Sequence, residues 1–192
     1  QRATDIAQKS NGKLQEEMEF IRSEAQIAKE GSYRVQQSIQ ELQLCNSDIT
    51  DVSNLRTMCE QSLRLCEYRL PEDTHIEIQI PKNLHFLGNK GHLSQVLMNL
   101  LINSSEANTK SPLRITIHAT VIGEYIHIQY KDNGVGIPTE IQNHLFTPFA
   151  STKGEQRGLG LYICKRLLGN NDGDIRYHPT PFGSHFELII PK

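Results

Sequence analysis

Gln95, Asn99 and Asn103 recur at four-residue spacing, while Leu93, Val96, Leu97, Leu100 and Leu101 mark out a different, apolar face of the same helical pattern. Asn competes with the helix backbone for hydrogen bonds, so two aligned Asn inside a helix need a reason. One reason is a solvated polar face. The other is a site, because a carboxamide oxygen is a hard ligand that suits Mg2+. Asp132-Asn133-Gly134-Val135-Gly136-Ile137-Pro138 follows an alternating stretch. It reads either as a hairpin turn or as a carboxylate beside a flexible backbone. Such a carboxylate can accept a hydrogen bond from an exocyclic amine, as on adenine. Leu145-Phe146-Thr147-Pro148-Phe149 is a rigid apolar anchor, and Ala150-Ser151-Thr152-Lys153 after it is polar and cationic, or simply a loop. Arg157-Gly158-Leu159-Gly160-Leu161 opens a helix, where free backbone amides and close approach favour phosphate. It is neither a Walker loop nor a Rossmann fingerprint.

These segments need elements to hold them. Helical patterns fall at 91–108 and 159–168, and 53–70 reads as a helix with Ser53 as cap and Pro71 as stop. Strands are expected at 76–80, 113–119, 125–130, 175–177 and 186–190, with a hairpin turn at Gly123-Glu124. The class is α+β: a two-layer α/β sandwich with several antiparallel strands. Ahead of it, Leu14, Met18, Ile21, Ala25, Ala28, Ser32, Val35, Ile39, Leu42 and Ile49 keep a period near 3.5. That predicts one long helix over 13–48, in a coiled coil or antiparallel bundle, after a turn at 10–12. Such a stripe needs a partner helix. The domains are therefore 1–52, helical, and 53–192, mixed α and β.

Composition narrows the classes. The 192 residues carry 20 Lys+Arg against 22 Asp+Glu, a net charge of −2, which gives no basic footprint for nucleic acid. No apolar run is long enough to span a membrane. Cys45, Cys59, Cys66 and Cys164 form no Cys-x-x-Cys pair, so a zinc site or disulfide framework is not expected, and the reducing cytoplasm is the expected compartment.

The order of the four segments resembles one family. Residues 84–191 resemble the ATP-binding domain of sensor histidine kinases, in the superfamily shared with gyrase and chaperone ATPases. Asn99–Asn103 is similar to the N box, Asp132–Gly136 to the G1 box, Phe146–Phe149 to the F box and Gly158–Leu161 to the G2 box, and Gly183-Ser184-His185-Phe186 through Pro191 to the closing strand. The helical region 13–48 resembles the second helix of the family's dimerisation and phosphotransfer hairpin.

The resemblance implies the Bergerat-type fold, ATP and Mg2+ as ligands, and transfer of phosphate to histidine. It implies that Asn103 holds Mg2+, with Asn99 one turn earlier as the other N-box polar residue. Asp132 would read the adenine amine, with Gly134, Gly136 and Ile137 shaping that pocket and Ser184 hydrogen-bonding near Asp132. Gly158, Leu159, Gly160 and Leu161 would form the phosphate side, and Phe149 and Thr152 the edge of a short lid. Lys153 and Arg157 would neutralise the terminal phosphates. The ATP-hydrolysing cousins carry a Glu where this chain has Asn99, which cannot take a proton, so transfer is favoured over hydrolysis; Glu106 lies seven residues on. Implied partners are a response-regulator receiver domain and a second copy, as a homodimer through the helical region.

Two departures stand out. Gln156 occupies the first G2 glycine place, with Gly154 two positions earlier. None of the eight His falls within 1–74, so the phosphoacceptor is expected just before Gln1, in a chain that begins beyond it. The alternatives are a degenerate regulatory module that dimerises or binds nucleotide without transfer, and an ATPase of the gyrase and chaperone type.

Overall fold

The computed structural model describes residues 51–108, 112–150 and 158–192, together with Met18 and Arg22. The chain divides into two compact units, Gln1–Asn46 and Ser47–Lys192. In the first unit Met18 and Arg22 are helical and exposed. The rest of the expected helix over 13–48, its seam and the turn before it lie outside the described residues.

The second unit contains β1 (Asp51–Asn54), α1 (Leu55–Cys66), β2 (His75–Gln79), β3 (His85–Gly88), α2 (Lys90–Ala107), β4 (Arg114–Ile122), β5 (Tyr125–Asp132), the short α3 (Thr139–Gln142), α4 (Gly160–Gly169), β6 (Asp174–Tyr177) and β7 (His185–Pro191). Five strands form one sheet in the order β2-β4-β5-β7-β6. β2 and β4 are parallel and the other pairs antiparallel. The β4–β5 hairpin turns at Gly123-Glu124, as the sequence predicts.

Alternation along the strands builds the core. Ile115, Ile117 and Ala119 of β4, Ile126, Ile128 and Tyr130 of β5, and Phe186, Leu188 and Ile190 of β7 are buried. Register lines them up across the sheet: Ile117 opposite Tyr130, Tyr130 opposite Phe186, and Phe186 opposite Tyr177, whose ring lies 5.4 Å away. Each buried Ile, Leu or Phe among them contributes about 1.5–3 kcal/mol by leaving water. The intervening residues, among them Thr116, His118, His127, Gln129 and Glu187, are polar and face away from that core. Helices α1, α2 and α4 pack side by side, and α2 touches the sheet where Ser104 meets Tyr130, 2.9 Å apart.

The start of this unit differs from expectation. Ser53 does not cap a helix; it pairs with Phe86 in a two-stranded sheet of β1 and β3. Asn54 caps α1 instead, its side-chain Oδ1 accepting from Thr57 N at 2.9 Å. The helix stops at Cys66 and a 3-10 turn, Glu67–Arg69, completes the stretch. β1 thus runs across the 52/53 division drawn from sequence, because pairing with β3 ties residues 51–54 to the second unit. β3 is four residues long, too short for its alternation to register in sequence.

Candidate functional site

β5 delivers Asp132 to the end of the sheet. Its Oδ1 accepts from the backbone N–H of Gly134 at 2.9 Å and of Ser184 at 3.1 Å, and its Oδ2 accepts from the Ser104 hydroxyl at 2.7 Å. Asp132 N donates to Ser184 O at 3.0 Å, so the closing strand is clamped to the G1 segment by backbone. Ser184 therefore meets Asp132 through its main chain. Asn133 fastens the same turn from outside, accepting from Arg114 N at 2.8 Å and donating to Pro112 O at 3.0 Å.

Two glycines interlock behind Asp132. Gly136 has φ +77, and a Cβ there would stand 2.8 Å from Gly183 O. Gly183 has φ +69, and its Cβ would stand 1.8 Å from Asp132 O. Only glycine fits both the left-handed backbone and that approach. Gly134 N–H is spent on Asp132, Val135 N bonds Ala107 O at 3.3 Å, and the Ile137 carbonyl accepts from the Gln142 side chain at 2.8 Å.

The α2 carboxamides lie on the flank. α2 starts at its cap Asn89, whose side-chain oxygen accepts from Gly91 N and His92 N. Asn99 and Asn103 are half-buried. Asn99 Nδ2 donates to Gly160 O at 3.3 Å and approaches Cys164 Sγ at 3.7 Å, joining the N-box helix to the first turn of α4. Burial pushes the Cys164 thiol up to about 12, so it stays a neutral neighbour. The Asn103 side chain makes no hydrogen bond to a described residue. Glu106 is exposed, two turns along α2 from Asn99.

On the other flank, Leu159 is buried and Gly158, Gly160 and Leu161 are half-buried. Among the described residues no side chain caps the start of α4. A Cβ at Gly160 would meet nothing within 4 Å among the described residues, so none of them demands glycine there. Phe149 is exposed and holds φ +64, a strained setting for an aromatic residue. Thr152, Lys153, Gln156 and Arg157 lie outside the described residues. The described structure thus brings Asp132, Gly134, Gly136, Ile137 and Ser184 together, and links Asn99 to Gly160.

Sequence reasoning missed Ser104, Tyr130 and Gly183 as parts of the site. A serine directly after Asn103, amid apolar helix positions, was the available signal for Ser104. Among the described residues no group of three or more His, Cys, Asp or Glu is placed to hold a metal ion, and no helix is long and apolar enough to cross a membrane.

Comparison with known proteins bears on family and fold. Residues 88–192 match the family described as histidine kinase-, DNA gyrase B-, and HSP90-like ATPase. The sensor histidine kinase RcsC of Salmonella typhimurium is 39% identical over 123 residues, covering 60% of this chain and 13% of that protein. The chain thus spans a small part of the length of the curated relatives it matches. The solved catalytic domain of histidine kinase ThkA is 26% identical, with a TM-score of 0.67 over 75% of this chain and 98% of that one. A structure of ThkA in complex with the response regulator TrrA shares the fold, with a TM-score of 0.68 and 22% identity over 84% of this chain and 48% of that one.

Proposed function

The chain belongs to the histidine kinase-, DNA gyrase B- and HSP90-like ATPase family, and on that premise we propose that it binds Mg-ATP and passes the γ-phosphate to a histidine outside these 192 residues, for relay to a response-regulator aspartate. Its ATP-binding unit is a histidine kinase catalytic domain. Asp132 accepts the adenine exocyclic amine, within the pocket of Gly134, Gly136, Ile137 and Ser184. The glycines at 158 and 160 and the first amides of α4, with Leu159 and Leu161 behind them, receive the phosphates. Phe149 and Thr152 border the lid, and Lys153 and Arg157 offset charge on the terminal phosphates.

Asn103 fits a Mg2+ ligand, because its carboxamide is half-buried on the N-box face and bonded to no described residue. The ion, when bound, would neutralise phosphate charge; phosphoryl transfer depends on position and charge neutralisation more than on covalent help. Asn99 holds α2 against the phosphate-side turn and cannot serve as a base, which favours transfer over hydrolysis. The partners proposed are a receiver domain and a second copy joined through the helical region, in the cytoplasm. The kinase–regulator complex of ThkA supports the first.

The observation that carries this reading is the Asp132 carboxylate, held by two N–H groups and one hydroxyl at the strand end. The test is Mg-dependent binding of a fluorescent ATP analogue to the native chain and to Asp132→Asn. Loss of a hydrogen bond to a charged group predicts roughly ten- to hundredfold weaker binding in the variant. A native chain that does not bind sinks the catalytic reading and favours the degenerate module. With binding established, a histidine-bearing helical segment added in trans with labelled ATP should acquire acid-labile phosphate.

A further inference from the structure

Asp132 does not stand alone at its strand end. Behind it runs a chain of hydroxyls into the core: Tyr130 OH lies 2.9 Å from Ser104 Oγ, and Ser104 Oγ lies 2.7 Å from Asp132 Oδ2. Tyr130 is fully buried and Ser104 is 2% exposed. Ser104 has one hydroxyl hydrogen, and it is directed to Asp132. The Tyr130 hydroxyl must then donate to Ser104. Burial pushes the Tyr130 phenol well above its ordinary range, so it remains a donor. The direction of the chain is fixed from core to site: Tyr130 to Ser104 to Asp132.

That direction bears on what the carboxylate can do. An ionised carboxylate offers about four acceptor positions. Gly134 N and Ser184 N take two at Oδ1, and Ser104 takes one at Oδ2. Among the described residues these are its donors, which leaves one acceptor position, on the oxygen that Ser104 holds in place. A ligand that donates there gains a charge-assisted bond; a ligand that presents an oxygen there is repelled.

We infer that Ser104, held by Tyr130, is the positioning residue that aims Asp132 at the 6-amino group of the purine and so sets discrimination between 6-amino purines and those without that donor. The inference rests on the proposed reading of Asp132 as the adenine acceptor. It assigns a role to two residues outside the N-box and G1 matches.

The test measures binding of ATP and of the triphosphate of 6-unsubstituted purine riboside, which keeps the ring and phosphates but lacks the amine. The native chain should prefer ATP, and Asp132→Asn should remove the preference. Ser104→Ala should weaken ATP by about tenfold while leaving the amine-free nucleotide within twofold. A defect in folding or pocket shape would weaken both alike. Ser104→Ala leaves the Tyr130 hydroxyl orphaned in the core, so the double variant Ser104→Ala/Tyr130→Phe is the companion; removing both partners avoids that penalty. It should unfold near the native urea midpoint and still lack the preference. A double variant that folds and discriminates as the native chain does overturns the inference. Native binding with no preference, or a preference kept by Asp132→Asn, overturns the underlying reading of Asp132 instead.

Discussion

Gly183→Ala places one methyl group where the fold has no room. The added Cβ would lie 1.8 Å from Asp132 O, 2.7 Å from Asp132 C and 3.0 Å from Asn133 Cα. All three are backbone atoms on a strand end that is clamped from both sides, so no side chain can swing away. Ordinary contact requires the two segments to part by about 1.5 Å or more. That separation breaks the pair Asp132 N to Ser184 O, at 3.0 Å, and the bond from Ser184 N to Asp132 Oδ1, at 3.1 Å. The left-handed backbone at φ +69 adds about 1–2 kcal/mol for a residue with a Cβ. Two lost hydrogen bonds, one to a charged group, bring the total to about 3–6 kcal/mol. Against a domain stability of roughly 5–15 kcal/mol, the unit still folds, with a melting temperature lower by about 10 °C or more. Thermal unfolding followed by dye fluorescence gives the first readout and binding of the ATP analogue the second. Binding should fall at least tenfold, because Asp132 loses one of its three donors. A Gly183→Ala chain that melts within 2 °C of the native and binds ATP normally would refute the interlock.

Three other perturbations separate fold from function. Gly160→Ala should fold as well as the native chain, since its Cβ meets nothing within 4 Å among the described residues, yet bind ATP about five- to tenfold more weakly if phosphate packs there; equal binding in a titration argues against phosphate at α4. Ile128→Ala empties a fully buried place on β5 between Ala119 and Leu188 and should cost about 2–5 kcal/mol, read as a lower urea midpoint at unchanged slope. On the polar sheet face, the hydrogen bond from His127, with those from His178 and Gln129, holds the Glu187 carboxyl down from 4.5 to about 2. A depressed carboxyl stabilises the fold above its unfolded value and loses that contribution as pH falls through the folded one. The melting temperatures of native and Glu187→Gln chains should therefore differ at pH 6 and converge between pH 4.5 and about 2; a constant gap across that window contradicts the assignment.

What sequence made legible follows from how each contact is built. Period-two runs such as Tyr125–Tyr130 face one core, and that pattern survives in a single chain of letters. The hairpin at Gly123-Glu124 was legible for the same reason. Asn99, Asn103 and Asp132 could be singled out because the wrong residue type for its element leaves a visible conflict, and Gly134 and Gly136 because they crowd one turn. Contacts between distant segments left weaker traces. Ser53 reads as a helix cap until β3, more than thirty residues on, draws it into a strand. Gly183 looks like any loop glycine until Asp132, fifty-one residues earlier, supplies the oxygen that excludes a side chain.

Ser104 shows why the second kind of contact matters to the first. Its neighbours on α2, Leu100 and Leu101, are buried for packing, and a serine among them costs stability unless it is bonded. Here both of its bonds run from the helix to β5, to Tyr130 on the core face and Asp132 at the strand end. The helix that carries Asn103 and the strand that carries Asp132 are therefore fixed to each other by the residue next to one and the residue two before the other. In the function proposed above, Asn103 for a cation and Asp132 for a base would act on one ligand, and that hydroxyl bridge is what holds their elements in register.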